Sequence, residues 1–191
     1  MVHFLTTLES SMKAHWNKPA LCNYKGEVFT NADIAALIAR FGVLYNELGI
    51  KKGDKIALCA KNTARWGALF FSITAHEAVC VSILADFHPD SVNYLVDHSD
   101  SVLLYTDKEI WDKLDTSKFP KLKMAINVDD FSLLYAKDDD VKAAFDCLEE
   151  KYVEKYPAGV STSDVKFKVD NFNDLAVINY TSGTTSAPKG V

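Results

Sequence analysis

A doubly wound α/β fold, with a mostly parallel sheet flanked by helices, is what the order of apolar segments predicts. Short apolar runs of strand length alternate with amphipathic segments long enough for helices. Strands joined by crossovers of about a dozen residues run parallel, because the helix returns the chain to the same end of the sheet. Size is the third observation. At roughly 100–200 residues per domain, 191 residues make one unit. A unit of that size buries about 70% of its unfolded surface, enough for a core without metal or disulfide staples.

The elements follow in order. Phe4, Leu5, Leu8 and Met12 recur at helical spacing, and Pro19 closes that helix. Residues 20–24 and 27–29 flank Lys25-Gly26 and read as a hairpin. Thr30 is placed to cap the next helix. Asp33 falls in its first turn, where the helix dipole favours an anion. The apolar stripe of that helix is Ile34, Leu37, Ile38, Phe41, Leu44, Tyr45 and Leu48, and Gly49 sits where a left-handed C′ residue is wanted. After a turn at 51–54, residues 56–60 form a buried strand and 63–77 a largely apolar helix. Residues 79–84 are a strand, and Pro89 starts a helix at its first position. Strands at 102–105 and 124–128 bracket a short helix over 107–114.

The rhythm changes over 129–170. Asp138-Asp139-Asp140 precedes Val141, Phe145, Leu148, Tyr152 and Tyr156, which predicts one amphipathic helix with acids at its N-terminus. Three consecutive acids cannot all face one ion from a helix, so a solvated cap is the reading taken rather than a metal site. Val165 to Val169 alternates like an edge strand, with Lys166 and Lys168 outward. Residues 175–180 are a strand by composition.

Charge narrows the partners. The 21 Lys and Arg against 26 Asp and Glu leave a net charge of −5, with no basic cluster to track a nucleic acid or an anionic membrane. No apolar run approaches the ~20 residues of a membrane span, and the N-terminus lacks the form of a secretory signal. The cysteines, Cys22, Cys59, Cys80 and Cys147, form no C-x-x-C pair. They read as free buried thiols in a reducing compartment. No two histidines share the i, i+4 spacing of a zinc helix.

The last segment carries the chemistry. The strand runs directly into Thr181-Ser-Gly-Thr-Thr-Ser-Ala-Pro-Lys-Gly-Val191. Hydroxyls at 181, 182, 184, 185 and 186, backbone N–H groups around Gly183 and the Lys189 ammonium offer donors to one small volume. A polyphosphate needs that set, because its oxygens only accept and carry several charges. The segment is not a Walker A loop, in which Gly precedes Lys and a helix follows. A polar turn between two strands would have the same composition.

The stretch 178–191 resembles the signature loop of the acyl-adenylate-forming superfamily, Y-T-S-G-T-T-G-x-P-K-G-V, with Ser186 where Gly is commonest. Upstream, Leu48-Gly-Ile-Lys-Lys-Gly-Asp-Lys-Ile-Ala-Leu58 is similar to the family's L-G-V-x-x-G-D-R-V-A-L. Phe29 to Asp33 and Asn62 to Trp66 resemble its T-Y-x-E-L and N-S-x-E-W. The likeness covers about residues 20–115 and 172–191; a helical insertion at 129–170 points towards the long-chain fatty acyl-CoA synthetases. The resemblance implies that Thr181, Ser182, Gly183, Thr184, Thr185 and Lys189 hold the ATP phosphates, with Thr184 or Thr185 near Mg²⁺. It implies ATP, Mg²⁺ and CoA as the small molecules used and a carboxylic acid as substrate, long-chain fatty acid ahead of an amino acid or aryl acid. No catalytic residue falls within the chain. The expectation is therefore an N-terminal subdomain, inactive alone, of a cytoplasmic ligase that is free or peripheral to the membrane, with a homodimer left open. A stand-alone phosphate-binding module is the alternative. Two local expectations complete the reading: a second hairpin strand beginning at or just after Val191, and a negative φ at Ser186.

Overall fold

The computed structural model describes residues 3–169, 171–181 and 189–190. Helix α1 (Phe4–Ala14) leads into a small antiparallel hairpin, β1 (Pro19–Cys22) and β2 (Val28–Thr30). In its turn Lys25, not Gly26, takes the left-handed φ of 53°. Gly26 serves another need, since a Cβ there would stand 3.1 Å from the Cβ of Asn23.

Helix α2 (Asn31–Glu47) is closed at both ends by its own sequence. The Thr30 hydroxyl accepts the Asp33 N–H at 3.2 Å, and the Asp33 carboxylate accepts the Thr30 N–H at 2.8 Å, which is a capping box. At the other end the Gly49 N–H donates to the Asn46 carbonyl and the Ile50 N–H to the Tyr45 carbonyl. Gly49 has φ 64° there, so the end is a Schellman motif.

From this point strands and helices alternate: β3 (Lys55–Cys59), α3 (Ala64–Ala75), β4 (Val79–Ile83), α4 (Pro89–His98), β5 (Leu103–Thr106), α5 (Lys108–Trp111) and β6 (Met124–Asn127). Next come β7 (Leu133–Ala136), α6 (Asp139–Asp146), α7 (Leu148–Lys155), β8 (Val177–Thr181) and β9 (Lys189–Gly190). The main sheet has the order β7-β6-β5-β3-β4-β8-β9. The strands from β6 to β8 in that order are parallel, and an antiparallel strand closes each edge.

Alternate residues of β3 build the two halves of the core. Ile56 and Leu58 face α2 and α3, packed with Phe41, Tyr45 and Leu69. Ala57 and Cys59 face α4, packed with Val92, Leu95 and Val96. Both faces are covered, as a doubly wound parallel sheet requires.

The 129–170 region departs from expectation in three ways. Residues 133–136 form a strand, β7, antiparallel to β6. The helix over 141–156 is two helices, broken where the Cys147 backbone opens to ψ 0°. Residues 165–169 form no strand. Val165 is buried and Lys166 and Lys168 are exposed, as the alternation predicts, but the segment lies against α1 and α2. Its Phe167 N–H donates to the Glu9 carboxylate at 2.8 Å instead of entering a ladder. A chain laid across helices buries alternate residues just as a strand does. The cysteine expectation also needs correction at two sites. All four are free and Cys59 and Cys80 are buried, but Cys147 is half-buried and Cys22 is exposed on β1.

Candidate phosphate-binding site

The sheet order decides where a ligand crevice opens. Helix α3 leaves β3 onto the face shared with α2, and α4 leaves β4 onto the opposite face. The loops at 60–63 and 84–88 therefore depart in opposite directions from the carboxyl ends of neighbouring strands. In open α/β sheets that topological switch point is where ligands bind.

Strand β8 lies directly beside β4 and parallel to it, with Val81 opposite Ile178 and Ser82 opposite Asn179. Its carboxyl end, Thr181, is thus on the rim of that crevice. Of the residues singled out from the sequence, Thr181 and Lys189 are brought together, as facing partners of the antiparallel β8–β9 pair. Ser182, Gly183, Thr184 and Thr185 lie outside the described residues, as does Ser186 with its expected negative φ. The second strand of the hairpin begins at Lys189, two residues before the expected place at Val191. Strands on both sides of the loop separate it from a Walker A loop, which must open into a helix.

The rest of the rim comes from β3, β4 and β5. The Lys61 N–H donates to Asp107, just past β5, at 3.0 Å. Burial raises the Asp107 carboxyl above its ordinary range despite that bond. The Cys59 thiol, whose Sγ is 3.8 Å from the Leu84 carbonyl, is pushed up to about 12, chiefly by burial and then by Asp107. It is a packed thiol and no nucleophile at neutral pH. Leu84 itself is exposed at the end of β4. Among the described residues no group of three or more His, Cys, Asp and Glu side chains stands close enough to hold a metal ion, and no helix is long and apolar enough to cross a membrane.

The base of the hairpin is fastened from the α4 side. Tyr180 is 5% exposed and packs with Val92 and Leu95. Its hydroxyl is 2.9 Å from Nδ1 of His98. Sequence reading missed both this pair and Asp107. Asp107 had a signal, an acid immediately after a predicted strand. His98 had none, because its partner is 82 residues away.

The family model for AMP-binding enzymes matches residues 8–191, and the chain belongs to that family. Its relatives include fatty acyl-CoA synthetase A of Dictyostelium discoideum, 29% identical over 76% of this chain and 21% of that protein. The peroxisomal trans-cinnamate:CoA ligase of Petunia hybrida is 26% identical over 98% of this chain and 34% of its own. Among solved structures, the anthranilate CoA ligase AuaEII in complex with anthranoyl-AMP superposes with a TM-score of 0.78 at 19% identity, covering 100% of this chain and 34% of that one. A long-chain-fatty-acid-CoA ligase from Archaeoglobus fulgidus gives 0.72 at 16% identity, covering 100% and 36%. These likenesses establish the fold. The chain spans about a fifth to a third of the length of the curated relatives it matches.

Proposed function

We propose that residues 1–191 form the N-terminal subdomain of an ATP-dependent acid–thiol ligase. The full enzyme joins a carboxylic acid to AMP with release of pyrophosphate, then passes the acyl group to CoA. One observation carries the reading: the Thr181–Lys189 hairpin, rich in hydroxyls and N–H groups, is rooted on β8 at the edge of the switch-point crevice. In this reading Thr181, Ser182, Gly183, Thr184 and Thr185 donate to the β- and γ-phosphates, and Lys189 balances charge as pyrophosphate departs. The donor set fits the ligand, because hydroxyls, backbone N–H groups and an ammonium can all donate to phosphate oxygens that only accept. Mg²⁺, which neutralises part of the triphosphate charge, would arrive with the nucleotide and meet the hydroxyl of Thr184 or Thr185.

The carboxylate substrate in this reading is a long-chain fatty acid. The likeness to a fatty acyl-CoA synthetase supports it, with 129–170 as an inserted segment. An aryl acid is the second reading, favoured by the cinnamate ligase among the relatives. Cytoplasmic placement and a homodimer go with the ligase reading and are checked by fractionation and light scattering.

ATP–pyrophosphate exchange tests the reading. The product of the complete reading frame should exchange label when given ATP, Mg²⁺ and a panel of fatty and aryl acids, whereas residues 1–191 alone should not. Absence of acid-dependent exchange from the complete protein would refute the ligase assignment. Turnover by 1–191 alone would refute the subdomain assignment.

A further inference from the structure

We infer that His98 is a positioning residue for the phosphate-binding hairpin, acting through Tyr180. The inference rests on the phosphate-clamp reading above and adds a residue outside its loop.

The hairpin stem is short. Two facing pairs define it, Tyr180 with Gly190 and Thr181 with Lys189. On its other side β8 pairs with β4 only as far as Asn179. Tyr180 is therefore the first residue of β8 beyond that ladder, where β4 no longer holds the strand. Its side chain supplies the missing tie. The ring is buried on the α4 face, and the hydroxyl reaches Nδ1 of His98 at 2.9 Å. The His98 ring stands edge-on to Tyr180, with centroids 6.0 Å apart, and against Tyr94 at 5.2 Å.

His98 is the last residue of α4, the helix that begins after the 84–88 loop. The tie thus joins β8 to the helix that follows the 84–88 loop. A bond of this kind orients; it touches neither nucleotide nor acid. Its loss should weaken binding of the triphosphate, which needs several donors in register, and leave binding of the acid alone.

The test uses the product of the complete reading frame in ATP–pyrophosphate exchange. His98→Ala and Tyr180→Phe should each raise KM for ATP about five- to tenfold, with KM for the acid unchanged. The pair together should do no more than either alone, because both remove one bond. His98→Gln, whose amide can still meet the phenol, should restore most of the ATP affinity. Calorimetric titration with Mg·ATP should show the same order without turnover. His98 is exposed, so Tyr180→Phe, which leaves no buried hydroxyl without a partner, should keep the wild-type melting point. An unchanged KM for ATP in both variants would overturn the inference, as would equal rises in both KM values or failure of His98→Gln to rescue. A wild-type protein with no exchange at all would instead remove the ligase reading on which it stands.

Discussion

Two phenols in the core make a sharp test of how this sheet holds its helices. Tyr45 on α2 and Tyr105 on β5 are both 0% exposed, and their hydroxyls are 2.9 Å apart. Each is the other's means of satisfying a buried O–H, but the two positions are not equivalent. Tyr45 also has Ser72 beside it, whose own buried hydroxyl makes no hydrogen bond. Remove the Tyr105 hydroxyl, and Tyr45 can turn to Ser72. Remove the Tyr45 hydroxyl, and Tyr105 is orphaned. An orphaned buried hydroxyl costs about 1–3 kcal/mol, whereas removing both partners of a buried bond can be nearly neutral. Tyr45→Phe should therefore cost about 2 kcal/mol and Tyr105→Phe under about 1, with the double variant milder than Tyr45→Phe. At about 2–4 °C per kcal/mol for a chain of this size, the first corresponds to a melting point lower by about 4–8 °C. Burial raises both phenols above their ordinary range. A raised acid adds stability below its unfolded pKa, about 10 for tyrosine, and loses it as pH climbs through the folded value. The wild-type stability should thus be insensitive to these groups from pH 6 to about 9 and fall above that. Urea unfolding followed by circular dichroism measures all of this. Additive costs, or a larger cost for Tyr105→Phe than for Tyr45→Phe, would refute the reasoning.

Other outcomes follow from single sites. Gly49→Ala should cost about 1–2 kcal/mol in urea unfolding. A Cβ at Gly49 meets nothing within 4 Å, so the penalty comes from φ 64° alone. A cost below about 0.3 kcal/mol would mean the Schellman turn relaxes freely. Asp107→Asn should raise the melting point at pH 7, since burial disfavours the ion and Asn can still accept the Lys61 N–H. That gain should vanish as pH falls below the ordinary carboxylate range near about 4, where both side chains are neutral. Lys189→Ala in the complete protein should lower kcat/KM for ATP by about 10²-fold, roughly 3 kcal/mol of transition-state stabilisation, with unchanged melting. Normal ATP kinetics in that variant would show that Lys189 is no part of a phosphate clamp.

What the sequence could and could not reveal follows the range of the interactions involved. The strands at 55–59, 79–83 and 124–127 were legible because parallel strands are buried on both faces and read as unbroken apolar runs. Thr30 with Asp33, and Gly49, were legible because caps act within a few residues. Strand β7 was not. Its residues Leu133, Leu134, Tyr135 and Ala136 are only half-buried at the sheet edge, and the left-handed residue in the turn before it is Phe131 rather than a Gly. No punctuation announces that turn.

The donor chemistry of 181–189 was fully readable, since hydroxyls, Gly183 and Lys189 sit side by side in the chain. Its location was not, because location depends on which strand β8 joins. By chain order β8 might have been laid outside β7, its immediate predecessor in the sheet. It is inserted beside β4 instead, at the opposite edge. Beside β7 it would stand five strand positions from β4, about 24 Å away at ~4.8 Å per strand. There the same loop would have the same donors and no switch-point crevice to face. The long return through α6 and α7, which pass behind α2, is what carries the chain across to that edge. Helices that hold no site residue thereby decide whether the phosphate loop has a site at all.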